Sequence, residues 1–405
     1  MGWVTADAPT RAELDSCVTC GLCLPHCPTY RLTGDETASP RGRLAAMAAV
    51  ADGFAEVDEK FAEMMGFCLQ CRACETACPS LVPFGRAMEG ARAEVAAQVP
   101  DRAGRLRRLV VGRLIAVRRL VRLATWIAAG AQRLRLDRLG GPVRRLVGLR
   151  RLSPGTRPTL GRAWPAIGPR RGRAALLSGC VMDPWFPDVH RSTVAVLRRA
   201  GYDVEAPRSQ TCCGALAAHE GAVGDARRMA ARNVSAFARY DVVVTNAAGC
   251  GAHLREYANW AGEGANLAER VVDVTDLVAR LIDEGSLPEA APTGRTVAIQ
   301  DPCHLRHAQR IVAAPRRVVA AAGHDVVDLD PSGRCCGAAG FYTVTHPEAS
   351  SALGRQKADQ IAAAGAAIVA SANPGCEIQL RTYAAAGVRV AHPIELYAEA
   401  VISRQ

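Results

Sequence analysis

Sixteen cysteines dominate the chemistry open to this 405-residue chain. Eight of them fall in two runs of identical spacing. Cys17, Cys20, Cys23, Cys27 and Pro28 spell C-x2-C-x2-C-x3-C-P, and Cys68, Cys71, Cys74, Cys78 and Pro79 spell it again. A cubane [4Fe–4S] cluster has four iron corners, each needing a thiolate. A tight loop wraps three cysteines around three corners, while the fourth, set before proline, reaches the other cluster. The spacing therefore predicts one cluster on Cys17, Cys20, Cys23 and Cys78, and a second on Cys68, Cys71, Cys74 and Cys27. Zinc is the alternative, because C-x2-C knuckles also bind it. Zinc sites, however, usually draw ligands from two separated pairs rather than from compact quartets closed by proline.

The other eight cysteines form two matched sets. Cys180, the pair Cys212–Cys213 and Cys250 make one; Cys303, the pair Cys335–Cys336 and Cys376 make the other. The offset is 123 residues at the first three positions and 126 at the last. Gly214 and Gly337 follow the pairs, and Gly249 and Gly375 precede the final cysteines. Such a match indicates two copies of one structural unit. Adjacent cysteines suit a cluster whose irons lie close along the backbone. An iron–sulfur cluster, a structural zinc and a metal-free reactive dithiol all remain open for each set. His253, His304 and His307 stand near these cysteines, and His190 and His219 lie further off. They read as ordinary hydrogen-bonded histidines, with proton handling an added option for His304 beside Cys303.

The elements that must hold these sets follow from periodicity. A helical stretch from about Arg43 lies between the two N-terminal motifs and predicts a helical form of the two-cluster domain, not the compact β-rich one. In the first copy, AALLSGC reads as a strand ending at Cys180, GYDVEAP as a second, and DVVVTNAAGC as a buried strand ending at Cys250. Helices are expected at about 188–200 and 224–240. The second copy repeats this with TVAIQDPC, a helix through Arg317, HDVVDLD, a helix after His346, and AAIVASANPGC. Alternating strands and helices predict a parallel sheet with helices on both faces and cysteines at the strand C-termini, where such sheets place their sites. The chain thus reads as an α+β multidomain protein. Residues 1–100 form a helical two-cluster ferredoxin-type domain and 101–171 a basic connector. Residues 172–290 and 291–405 form duplicated α/β domains with parallel sheets.

Composition narrows the function. Hydrophobic residues make up 49% of the chain, which fits globular domains rather than disorder. The net charge of +11 would suit a nucleic-acid binder, but residues 101–173 hold twenty arginines, no lysine and only Asp101 and Asp137, for +18. The rest of the chain nets −7, so the folded domains are mildly acidic and nucleic acid is not the expected partner. The first sixteen residues contain no apolar run of signal-peptide length. A cytoplasmic location is therefore expected, where clustered cysteines serve as metal ligands more often than as disulfides. On one continuous helix from Arg105 to Leu136, Arg107, Arg108, Arg118, Arg119 and Arg122 would share a face. Leu106, Leu109, Val110, Val117, Leu120 and Val121 would fall mostly opposite, with Arg113 among them. The uncharged run from Leu123 to Gln132 is too short to span a bilayer. Peripheral contact with an anionic membrane, docking on an acidic partner subunit, and a solvated helix packing its apolar face on the protein itself are the three readings.

The stretches CVTCGLCLPHCPTY, SPRGRL, CLQCRACETACPS, NAAGCGAHLREY, DPCHLRHAQ, RCCGAAGFY and NPGCEIQL resemble the iron–sulfur subunit of glycolate oxidase, over nearly the whole chain. The resemblance implies an electron-transfer subunit of a membrane-associated complex. In it, a separate flavoprotein carrying FAD oxidises a 2-hydroxy acid, and the electrons pass towards quinone or another acceptor at the inner face of the membrane. No G-x-G-x-x-G follows an expected strand here, which places hydride chemistry on the partner. The CCG repeats also resemble those of heterodisulfide reductase, which implies the alternative of a subunit reducing a disulfide. That family closes each repeat with a further C-x-x-C cysteine, which is absent after Cys250 and Cys376. The iron–sulfur subunit of anaerobic glycerol-3-phosphate dehydrogenase shares the layout and is a third reading. Leu81 stands where the family's usual Gly follows the second CPS, a change without clear consequence at the level of sequence.

Overall fold

The computed structural model describes residues 2–134 and 158–402; residues 135–157 of the basic connector, including Asp137, lie outside them. Before residue 163 every described regular element is helical. Helix Pro40–Ala51 starts on Ser39, whose Oγ accepts from the Gly42 amide, with Pro40 at the first helical position, where its missing N–H costs nothing. It packs with helices Glu59–Gly66 and Phe84–Gln98 around Leu44, Met47, Val50, Phe61, Met65, Ala87 and Met88. This is the helical form of the domain that the stretch from about Arg43 implied.

The two copies that follow share a topology. Strands β1 (Ala163–Trp164), β2 (Gly172–Leu176), β3 (Tyr202–Glu205), β4 (Val242–Thr245) and β5 (Val271–Asp273) form one sheet, and β6 (Thr296–Gln300), β7 (Asp325–Asp328), β8 (Ile368–Ser371) and β9 (Arg389–Ala391) form the other. The orders are β1-β3-β2-β4-β5 and β7-β6-β8-β9. Apart from the antiparallel edge strand β1, all pairings are parallel. In each sheet the chain runs first to one side of the opening strand and then to the other, which creates a crevice at the strand C-termini. The final cysteine of each copy lies beyond its strand rather than ending it. β4 stops at Thr245 and Cys250 sits in helix Ala248–Arg255, while β8 stops at Ser371 and Cys376 sits in helix Pro374–Tyr383. Small residues and a proline in NAAGC and NPGC end the apolar runs and start helices there.

Besides the cores that each sheet keeps to itself, the two copies share a layer of helices. Helices Pro187–Arg199 and Val274–Asp283 of the first copy pack on Ala313–Ala321 and Pro393–Val401 of the second. One layer holds Val196, Leu197, Val278, Leu281, Val318, Ile394 and Tyr397.

The connector departs from one continuous helix. Helix Arg102–Leu109 widens into a π-type turn at Val110–Leu114, and a new helix runs Arg118–Arg133. The break seats Val111 and Gly112 against the first copy, where a Cβ on Gly112 would lie 2.0 Å from Asp225 Oδ2. Arg113, which an unbroken helix would place among apolar residues, is exposed. Helix Arg118–Arg133 turns its small residues inward. Thr125 and Ala129 are buried, and Trp185 Nε1 donates to Thr125 Oγ1 at 3.0 Å. Leu120, Leu123, Trp126, Ile127 and Leu134 face outward, with Ile127 66% exposed. The apolar side of this helix is thus left without cover among the described residues.

The paired cysteines are pinned differently in the two copies. In the first, Asn233 accepts from the Thr211 amide and donates to Cys212 O and Tyr257 Oη, while Tyr257 Oη donates to Cys213 O. In the second, buried Lys357 donates to Asp330 at 2.7 Å, and the Asp330 carboxylate accepts from the Ser332 and Arg334 amides just before Cys335. Burial alone would raise the Asp330 pKa, but Lys357 and the two amides outweigh it and hold the carboxyl below its ordinary range. A depressed folded-state pKa gives stability that is present in full at neutral pH and lost as acid protonates the group. Lys357→Met strands a buried carboxylate, so denaturant unfolding at pH 7 should show a loss of about 3 kcal/mol, shrinking as the pH falls through the range of Asp330.

Candidate iron–sulfur sites

The two N-terminal loops curl alike. Thr19 and Gly21 flank Cys20, and Gln70 and Arg72 flank Cys71; all four have positive φ, at 56°, 81°, 50° and 63°. Left-handed residues on either side of the central cysteine aim successive amides inward, the geometry of an anion-binding nest. The Gln70 amide accordingly donates to Cys68 Sγ at 3.3 Å. Cys27 precedes Pro28, which opens helix Pro28–Thr33 and turns Cys27 away from its own loop.

The thiols gather as two crossed sets. Cys17, Cys20, Cys23 and Cys78 line one cavity together with Cys74. Cys27, Cys68, Cys71 and Cys74 line the next, so Cys74 stands in the wall between them. Cys78 thus lies with the first loop and Cys27 with the second. Burial, then neighbouring thiols, push Cys71 and Cys74 well above the ordinary thiol range. Such thiolates need a cationic core as counter-charge, and a cluster's irons would supply it. None of the sixteen cysteines is in a disulfide.

In each copy the thiols form a chain of contacts. Cys180 meets Cys212, Cys212 meets Cys213, and Cys213 Sγ lies 3.2 Å from Cys250 Sγ. Cys303 meets Cys335, Cys335 meets Cys336, and Cys336 Sγ lies 3.1 Å from Cys376 Sγ. Among the described residues, no three His, Cys, Asp or Glu side chains surround a single ion position. Glycine after each pair is obligatory. Gly214 and Gly337 have φ of 96° and 87°, and a Cβ on Gly337 would press to 2.9 Å on Leu353 Cβ and Ser350 O.

The sites adjoin one another. Cys71 shares an apolar cluster with Cys335 and Cys303, together with Leu69, Ala73 and Tyr342. Thr76 pairs with His307 Nδ1 at 3.0 Å across the same boundary. Between the two copies, Asn373 donates to Cys376 Sγ at 3.5 Å and accepts from the Gly249 amide, beside Cys250, at 3.3 Å. Arg72 pairs with Glu75 of its own motif at 2.7 Å and ties the second loop to the first copy through Glu256.

Of the histidines, His190 bonds Ser178 O and Asn246, and His307 bonds Thr76 and Gly333 O. These are the ordinary partnerships expected of them. His304 Nδ1 lies 3.9 Å from Cys303 Sγ. His219 stacks on His304, and its Nδ1 is 3.2 Å from Glu89. Besides His219, whose Nδ1 has no hydrogen-bond partner among the described residues, the exception is His253. With Gln70, Arg72, Glu89, His219 and His304 it lines a cavity of about 20 Å³, roomy enough for one or two water molecules. There its Nε2 and both amide atoms of Gln70 have no partner among the described residues. Burial holds His219, His253 and His304 down to about 3, 4 and 3, so all three are neutral at pH 7.

Sequence reasoning passed over Gln70, Arg72 and Asn373. An Asn a few residues before the last cysteine of each copy, Asn246 and Asn373, was a signal available for the last of these. Two crossed cysteine cages on a helical domain, followed by paired α/β units with CCG loops, define a two-cluster iron–sulfur protein of the ferredoxin type. Family models agree: a 4Fe-4S dicluster domain matches residues 13–82, and a cysteine-rich domain matches 174–255 and 297–381. The chain is 34% identical to a probable glycolate oxidase iron-sulfur subunit of Bacillus subtilis (strain 168), covering 96% of this chain and 94% of that one. It is 31% identical to the glycolate oxidase iron-sulfur subunit of Escherichia coli (strain K12), with the same coverage of 96% and 94%. One subunit of the fumarate reductase (CoM/CoB) of Methanothermobacter marburgensis is 30% identical over 53% of this chain and 43% of its own. The chain belongs to the family of glycolate oxidase iron–sulfur subunits.

Leu81 costs stability in this fold. It follows the second motif at φ 53° with 71% of its surface exposed, so it carries left-handed strain and buries little in return. Leu81→Gly should therefore stabilise the chain by about 1 kcal/mol, read as a raised denaturation midpoint with unchanged iron content.

Proposed function

We propose that this chain is the electron-relay subunit of a flavin-dependent 2-hydroxy-acid oxidising complex of the glycolate type. In this reading Cys17, Cys20, Cys23 and Cys78 hold one [4Fe–4S] cluster, and Cys27, Cys68, Cys71 and Cys74 hold the other. The chained sulfurs of Cys180, Cys212, Cys213 and Cys250, and of Cys303, Cys335, Cys336 and Cys376, suit multinuclear clusters better than a single tetrahedral zinc. Bound clusters supply one-electron transfer without proton movement. The chain's own residues crowd the thiols, bury them and set the sites side by side.

The observation that carries the reading is the unbroken adjacency of cysteine sites. The cavity at Cys71 abuts Cys303 and Cys335, and Asn373 bridges Cys376 to the backbone beside Cys250. That arrangement suits a wire with an entry and an exit. Electrons would enter from a partner flavoprotein carrying FAD and leave to quinone or another acceptor. Purifying the tagged protein anaerobically from its own cells tests this. Stoichiometric flavin on a co-purifying chain, with cluster bleaching on addition of glycolate or lactate, is the expected result. Intact clusters without flavin, together with turnover of a disulfide, would replace the relay with a disulfide-reducing subunit.

The outward apolar side of helix Arg118–Arg133 supports a peripheral position at the inner face of the cell membrane. Exposed Arg119, Arg122 and Arg133 accompany the exposed Leu123, Trp126 and Ile127, a combination that suits an anionic lipid surface. No described helix is long and apolar enough to cross a membrane. Sedimentation with vesicles containing phosphatidylglycerol should recover the protein at low salt. Joint Leu123→Ser and Trp126→Ser substitution should lower binding at least tenfold, with little change against neutral vesicles.

A further inference from the structure

Arg43, the last arginine of the SPRGRL stretch, has 0% of its surface exposed. Every hydrogen bond it makes ends on a neutral oxygen. Nε donates to Met64 O at 2.8 Å, Nη1 to Ala38 O at 2.7 Å, and Nη1 and Nη2 to Thr29 Oγ1 at 3.3 Å. No carboxylate pairs with it among the described residues. A cation buried without an anion is costly enough that proteins pair or neutralise it. The anions at hand are thiolates. Arg43 lines the same cavity as Cys27, Cys68, Cys71 and Cys74, and Thr29 Oγ1, which it contacts, lies 3.2 Å from Cys27 Sγ; the cavity's other arginine, Arg72, is already paired with Glu75 and Glu256. The other cavity differs. Its arginine, Arg41, is partly exposed and already paired with Glu36 at 2.6 Å, and Cys20 there is exposed to solvent.

We infer that Arg43 is the fixed counter-charge of the inner cysteine cage and raises the reduction potential of the cluster held there, selectively over the outer one. The inference rests on the reading that Cys27, Cys68, Cys71 and Cys74 carry a [4Fe–4S] cluster. When such a cluster accepts one electron from its donor, here dithionite in the test or the partner's reduced flavin in the complex, the core with its four thiolates formally gains one negative charge. No bond is made or broken and no proton moves. A buried guanidinium in the same cage favours the more negative state.

The test is an EPR-monitored redox titration of the full chain, purified anaerobically with its clusters, against Arg43→Gln and Arg43→Lys. Cys20→Ser identifies the signal of the outer cluster. Arg43→Gln should keep its iron and lower the inner potential by about 60 mV, the equivalent of a tenfold change in a one-electron equilibrium, with the outer potential unmoved. Arg43→Lys keeps the charge and should retain the wild-type value. Full iron in Arg43→Gln with unchanged potentials, or an equal shift of both clusters, would overturn the inference. If Arg43→Gln fails to fold, Arg43→Lys decides: a wild-type inner potential supports the charge, and a drop near 60 mV assigns the effect to the lost hydrogen bonds instead. A wild-type protein lacking a second cubane signal would overturn the ligand reading itself, a result distinguishable from the others.

Discussion

Sulfur held away from water governs this structure. Thiolates in an apolar setting are unfavourable without counter-charge, and burial drives Cys71 and Cys74 towards the neutral thiol. The fold gathers them anyway, with strain where the loops need it. Non-glycine residues at Thr19, Gln70 and Arg72 adopt left-handed backbone where the loops bring their sulfurs to the wall of one cavity. Glycines after the paired cysteines do the same without a penalty. Folding therefore assembles cages that a bound cationic core makes more favourable, which couples cofactor content to stability.

The duplicated units show how one constraint is met twice by different chemistry. Each must hold two adjacent cysteines in the loop that follows a strand. The first uses a neutral network of Asn233 and Tyr257, the second a buried Lys357–Asp330 pair. Both solutions spare the cysteine backbone from bonding itself into a regular helix or strand. Divergence at these supports, with the cysteines and glycines kept, gives the two sites different local fields within one topology.

Cysteine spacing made the cages legible before any coordinates, because covalent geometry leaves few ways to wrap three thiols around one body. Strand positions were legible too, since buried parallel strands read as short apolar runs. What escaped is what depends on tertiary approach. Asn373 matters only because a second sheet places Gly249 opposite it. Arg43 looks like a surface residue in a helical pattern until Thr29, Ala38 and Met64 close over it. The break at Val110–Leu114 comes from Gly112 docking against Asp225, and a helical wheel carries no information about that contact. Leu81 looked inert because a sequence does not display the sign of φ.

The layer of helices shared by the two sheets would also shape the proposed electron relay. Because Val196, Leu197, Val278, Val318 and Tyr397 belong to one core, the halves are welded rather than tethered. The tunnelling gap between their sulfur sites is then a dimension of the packed interior, as rigid as the packing itself. Conductance across that gap should be indifferent to solvent viscosity and to interdomain breathing, unlike relays whose carriers swing on flexible linkers.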